Sequence, residues 1–215
     1  MLKRSPEMHK YSSTFWLNHY AKNAASLEKI PWATEYELSY VERRSISKSI
    51  AEFQKGESSE GMNLIAQSRD YATRVDDLHY EASTISFIRE EQRHARDLAK
   101  YMMLRDIPLA QSAWPDTVFR GLRRYSGIEL STCVLVTAEI IAQAYYPALR
   151  EATKDPVLIS ICGQIIKDEE AHVQFQAERI LDIRRTISLP RFLITQLLQR
   201  LAVFRDCIGR LVTTP

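Results

Sequence analysis

A chain of 215 residues is long enough to bury a sizeable core as one domain, and six glycines, 45% apolar residues and no low-complexity tract argue against wholesale disorder. A formal charge of +2, with no stretch that interleaves clustered Lys and Arg with aromatics, argues against a nucleic-acid partner. The three cysteines, Cys133, Cys162 and Cys207, match neither a zinc spacing nor a disulfide framework, which points to a reducing compartment.

The N-terminal "MLKRSPEMHKYSSTFWLNHY" is basic but lacks the apolar core of a signal peptide. Nowhere do about 18 apolar residues run together. The expectation is a soluble, cytoplasmic protein. Within residues 1–44, the aromatic-rich "FWLNHY" and "IPWATEYEL" predict a short helix docked on the main helical body.

From Ser45 to Arg105 apolar residues recur at three and four, the signature of two long amphipathic helices. The break falls at "TRVDD", where Asp76 or Asp77 can cap the second helix. "RDIPLAQSAWPD", with two prolines, reads as a crossover ahead of a short helix and the Ser126-Gly127 break. A third long helix then runs to about Glu151, with Pro147 expected to kink or loosen it. "TKDPVL" restarts the chain, Asp155 serving as cap and Pro156 taking the first helical position, where its missing N–H costs nothing.

Two helical hairpins joined by a long connection predict an all-α fold, a four-helix bundle with extra terminal helices. The domain plan is one unit over 1–215, with its core at 45–185. Beyond Pro190 a last helix is expected over 191–211, with an apolar stripe of Leu193, Leu197, Leu201, Phe204, Ile208 and Leu211. Its expected place is against the bundle or a second subunit of a homodimer, with membrane-surface contact the lesser reading.

Chemistry is concentrated in two stretches, "IREEQRHARDL" (88–98) and "IKDEEAHVQF" (166–175). Each holds Glu-x-x-His. Residues three apart on a helix lie about 60° apart with a rise of about 4.5 Å, so Glu91 projects with His94 and Glu169 with His172. Thr84, Phe87 and Leu98 flank the first pair, and Cys162, Ile165, Ile166 and Val173 the second, so both pairs should face the core. Buried carboxylates call for compensating charge, which a cation would supply.

Two such pairs offer too few oxygens for two ions, so each preceding helix should add a carboxylate at the same height. The midpoint of Glu139 and Glu169 falls inside "TKDP", which selects Glu139. For the first hairpin, Glu57 and Glu60 both have midpoints with Glu91 inside "TRVDD". Superposing the two motifs sets Glu139 on Gly61 and leans to Glu60. Gly56 and Gly61, inside what should be a helix, suggest close packing or room for a site.

Glu, Glu-x-x-His, Glu, Glu-x-x-His over a bundle resembles the ferritin-like di-iron carboxylate superfamily, across roughly Ser45 to Ile183. "GESSEGMNL" is similar to first-helix segments of rubrerythrins and aldehyde-deformylating oxygenases, in which the Glu after Gly is an iron ligand. That resemblance implies Glu57. "AEIIAQAYYPALREATKDP" is similar to the third helix of the oxygenases. The rubredoxin-like cysteines of full rubrerythrins are absent, the Glu57 to Glu91 separation is longer than in the oxygenases, and position 165 is Ile where the di-iron arylamine oxygenases have a histidine.

The candidate ligands are Glu57 or Glu60, or both, from the first helix, with Glu91, His94, Glu139, Glu169 and His172, for two iron ions, with manganese or a mixed Mn/Fe pair as the variant. Glu90 and Asp168 are read as exposed or as acceptors of an imidazole N–H, Asp168 being the better candidate. Tyr145, Tyr146 and Cys162 are read as packing. The expected function is an oxidoreductase that activates O2 or peroxide, drawing on an external electron donor and acting on a small apolar substrate. A ferroxidase or peroxidase of the ferritin and rubrerythrin kind is the alternative. A metal-free helical binding module is the third reading.

Overall fold

A computed structural model of the chain describes residues 11–58, 61–110 and 127–186. Among them every regular element is an α-helix. These are α1 (Ser13–Ala25), α2 (Tyr40–Glu57), α3 (Met62–Val75), α4 (Tyr80–Leu104), α5 (Ile128–Glu151) and α6 (Pro156–Thr186). Glu60 and the last helix expected over 191–211 lie outside the described residues.

The single helix expected from Ser45 to the "TRVDD" break is two helices, α2 and α3. Gly61 stands at φ 67° at the start of α3, a left-handed conformation that a helix interior does not accommodate. Glycine is required there twice over, since a Cβ at position 61 would lie 2.7 Å from Ile88 Cδ1. At Gly56, by contrast, a Cβ would meet nothing within 4 Å. The core also begins earlier than Ser45. Ser39 and Glu42 form a reciprocal capping box that starts α2 at Tyr40, a signal present in the sequence as S-x-x-E.

The break leaves the path of the chain unchanged. Arg43 Nη1 donates to Arg105 O and Gln54 Nε2 to Ala95 O, while beyond the break Arg69 pairs with Glu81 and Tyr71 packs on Tyr80. The α2–α3 line is therefore antiparallel to α4 over its whole length. At the turn, Asp76 ends α3 in the left-handed region, and Asp77 accepts the His79 N–H at 3.0 Å ahead of α4.

Helices α5 and α6 form the second hairpin. Pro147 sits inside α5, which continues unbroken to Glu151. Asp155 accepts the Val157 N–H at 3.0 Å, as its capping role requires, and also receives Arg105 Nε at 2.6 Å and Nη2 at 3.2 Å. Both partners are buried, so the pair ties the end of α4 to the start of α6. Asp155→Ala strands that guanidinium and is expected to cost about 3–5 kcal/mol, read by urea denaturation.

Pairs along α4 and α6, from His94 with Asp168 to Arg179 over the Tyr80 ring, make these two helices antiparallel. Because α5 is antiparallel to α6, it runs parallel to α4. The connection from α4 to α5 therefore joins opposite ends of the two hairpins. By length and composition α5 could cross a membrane, with mean hydropathy 1.3. Its Glu139, however, is buried against α6, and half of the apolar window is buried inside the protein.

The docked N-terminal helix is α1. Trp16 and Tyr20 pack on Phe175, and Trp16 Nε1 donates to the buried Glu178 Oε2 at 2.9 Å. Arg179 Nη1 donates to Ser13 Oγ, which in turn donates to Asp77 Oδ2 at 2.6 Å. "IPWATEYEL" adds no helix before Tyr40; Trp32 covers Lys100 of α4, whose Nζ lies 3.9 Å from the ring centre.

Candidate metal centre

Midway along α4 and α6 the two Glu-x-x-His motifs face each other. One donor atom from each of Glu91, His94, Glu169 and His172 lies within 4.8 Å of all the others. His94, Glu169 and His172 are fully buried, and the Glu91 side chain is 16% exposed. Phe87, with its ring centre 4.9 Å from that of His172, and Phe175, stacked on Phe87, are buried beside the cluster. The 3.6-residue repeat produces the juxtaposition, since on each helix residues three apart project from one face.

The hydrogen bonds around the imidazoles are sorted by nitrogen. His94 Nε2 is 3.0 Å from Asp168 Oδ2, and His172 Nε2 is 3.0 Å from Glu90 Oε2. A carboxylate there accepts, so each Nε2 carries a proton and each Nδ1 is the ring nitrogen turned toward the cluster. Both Nδ1 atoms point inward with no hydrogen-bond partner, as do Glu91 Oε1, Glu139 Oε1 and both oxygens of Glu169. His172 Nδ1 lies 3.0 Å from Glu91 Oε1 without the angle of a hydrogen bond.

The orienting acids are crossed between helices. Asp168 of α6 holds the histidine of α4, and Glu90 of α4 holds the histidine of α6. Each acid stands four residues before a histidine that it does not touch. Burial alone would push the Asp168 carboxyl up, but bonds from His94 and Arg93, whose Nη2 lies 2.6 Å away, hold it below the usual carboxylate range. Gln164 Nε2 donates to its other oxygen at 2.9 Å.

Two further acids flank the cluster. Glu139 of α5 is buried beside Glu169, and Glu57 of α2 is half-buried beside Glu91. Burial, then the charges of Glu91 and Glu169, push both carboxyls well up. Burial would lower the His172 imidazole, but Glu169, Glu90 and Glu91 raise it well above its ordinary value. For Glu91, burial is outweighed by His172 and His94, and its carboxyl is pulled down. Burial and mutual repulsion thus disfavour the ionised forms of Glu57 and Glu139, an imbalance that a cation would relieve.

Tyr146 is fully buried and donates to Glu57 Oε1 at 2.7 Å, so it fixes that carboxyl as well as packing. Tyr145 does pack, stacked on Phe53 with ring centres 3.5 Å apart. Cys162 is a buried thiol pushed up to about 12 by desolvation, in keeping with a small apolar residue. Two residues near the site went unread in the sequence, Asn23 and Tyr20. Asn23 donates to both Glu90 and Asp168, and the Tyr20 ring lies 6.3 Å from that of His172. Their signal was the α1 stripe itself, since Trp16, Tyr20 and Asn23 follow at intervals of four and three.

Compared with protein-family models, with curated proteins and with solved structures, the chain gives no match. The reading of the site therefore rests on its own residues.

Proposed function

We propose that the chain is a ferritin-like, dinuclear carboxylate metalloprotein, an oxidoreductase that activates O2 or peroxide inside a four-helix bundle. The observation that carries this reading is the set of buried inward atoms without hydrogen-bond partners: the two imidazole Nδ1 atoms and carboxylate oxygens of Glu91, Glu139 and Glu169. Leaving buried polar atoms unpaired costs about 1–3 kcal/mol each, and a metal-free module would gain nothing in return. The topology supports the same reading, since two antiparallel pairs with α5 parallel to α4 require the long connection of such bundles.

Glu91, His94, Glu169 and His172 would form the centre of the ligand set, with Glu57 and Glu139 each completing one side. Mixed carboxylate and imidazole donors suit iron or manganese better than zinc or calcium. Iron held there would supply the electrons for reducing dioxygen or peroxide, to be replaced by an external donor. The protein's part is to hold the donors apart in the buried core and to orient both rings through Asp168 and Glu90. It also keeps a proton at hand on the Tyr146 hydroxyl against Glu57. Among the described residues of the proposed set, Glu57 and Glu91 are the ones partly exposed, so a small reactant would approach past them.

The test is metal content after purification without a metal-binding tag, beside the Glu91→Ala, Glu169→Ala double variant. About two iron or manganese ions per chain, lost in the variant, is the expected result. Oxygen consumption by the Fe(II)-loaded protein with an apolar substrate then separates an oxygenase from a ferroxidase, which consumes O2 with Fe(II) alone. A folded wild type that takes up no Fe(II) anaerobically would overturn the reading.

A further inference from the structure

Helix α1 supplies no donor to the metal centre, yet its last turn reaches the residues that orient both histidines. The Asn23 carboxamide nitrogen has two hydrogens. It donates to Glu90 Oε1 and, at 2.8 Å, to Asp168 Oδ1. The second oxygens of the same two acids face His172 Nε2 and His94 Nε2. One unbroken chain of hydrogen bonds thus runs from His172 through Glu90, Asn23 and Asp168 to His94.

The chemistry of this position is restrictive. Two buried carboxylates converge on it, so the group between them must donate twice and accept nothing from either. An amide nitrogen does this without adding charge. The two acids depend on it unequally. Among the described residues, Asp168 also receives Arg93 and Gln164, whereas Glu90 has, besides His172, the Arg93 guanidinium at 4.0 Å. Removing Asn23 therefore frees Glu90 and with it the His172 ring, while Asp168 and His94 keep their support.

We propose that Asn23 is a positioning residue of the metal centre, through which the docking of α1 sets the orientation of His172 and hence the affinity of one of the two metal positions. The inference rests on the dinuclear reading of the site. It has a readout that needs no metal: the Nε2–H proton of each histidine, followed by NMR in metal-free protein with labelled histidine.

The experiment compares the full-length wild type with Asn23→Ala, Asn23→Asp and Trp16→Phe. Trp16→Phe removes the bond to Glu178, weakening the docking of α1 without touching Glu90 or Asp168. Anaerobic Fe(II) affinity is measured by competition with a chromogenic chelator. Asn23→Ala is expected to weaken one of two equivalents by about tenfold and to broaden or shift the His172 Nε2–H signal while sparing that of His94. Asn23→Asp, which sets a third carboxylate against the other two, is expected to weaken binding by about a hundredfold. Trp16→Phe should lower the melting temperature and leave affinity within about twofold.

Wild-type affinity and an intact His172 signal in Asn23→Ala would overturn the proposal. So would an equal loss of affinity in Trp16→Phe, which would reduce Asn23 to one more docking contact. If the wild type bound no Fe(II), the dinuclear reading would fall, and the His172 signal alone would decide whether Asn23 orients the ring.

Discussion

Replacing Glu139 with leucine is expected to make the metal-free protein more stable and to abolish full metal loading. Glu139 is buried on α5, its Oε1 has no partner, and burial together with Glu91 and Glu169 pushes its carboxyl well above the ordinary carboxylate range. A neutral carboxyl left partly unsatisfied in a core costs about 1–3 kcal/mol. Leucine is close to it in volume and removes that cost. Glu169 loses a neighbour in the exchange, so the gain should fall at the lower end, about 1 kcal/mol, or about 2–4 °C in melting temperature for a chain of this size. The measurements are thermal unfolding in chelator and iron per chain after anaerobic loading. A variant less stable than wild type in chelator would mean that Glu139 serves the fold itself, which favours a metal-free module.

This opposition between stability and function explains which parts of the molecule were legible in the sequence. Glu91, His94, Glu139, Glu169 and His172 could be found because each breaks an apolar stripe at a position that folding alone would fill with a hydrophobe. Hairpin geometry could pair Glu139 with Glu169 because "TKDP" marks its turn without ambiguity. The break between α2 and α3 was harder. Gly56 and Gly61 signalled something unusual, but one marks open space and the other a left-handed turn against Ile88, and glycine alone does not say which.

Asn23 shows a different limit. Its partners Glu90 and Asp168 are 67 and 145 residues away, and an asparagine late in a surface helix looks like any solvated polar residue. The crossing of the orienting acids was hidden for the same reason. Spacing along one helix places Glu90 near His94 and Asp168 near His172, whereas packing between helices gives each acid the other histidine. Local periodicity reports which face a side chain shares, and only the approach of the second helix decides what it touches.

The second large effect concerns pH. Glu57 and Glu139 have folded pKa values well above their ordinary 4.5, and His172 stands well above 6.5. Such groups contribute stability that is fully present below the unfolded value and is lost as pH rises through the folded one. Glu91 and Asp168 are depressed, so their contribution is present above the ordinary carboxylate range and is lost on acidification. Metal-free protein should therefore weaken as pH rises above the ordinary carboxylate range. Metal binding runs the other way, because protons on Glu57, Glu139 and His172 must leave as donors engage the cation. Each proton displaced strengthens binding about tenfold per pH unit, or about 1.4 kcal/mol. The melting temperatures of metal-loaded and chelator-treated protein should thus lie close together near pH 5 and diverge steadily toward pH 8. A separation that stays constant over that range would show that no protons are exchanged for metal, and that the buried carboxyls are balanced in some other way.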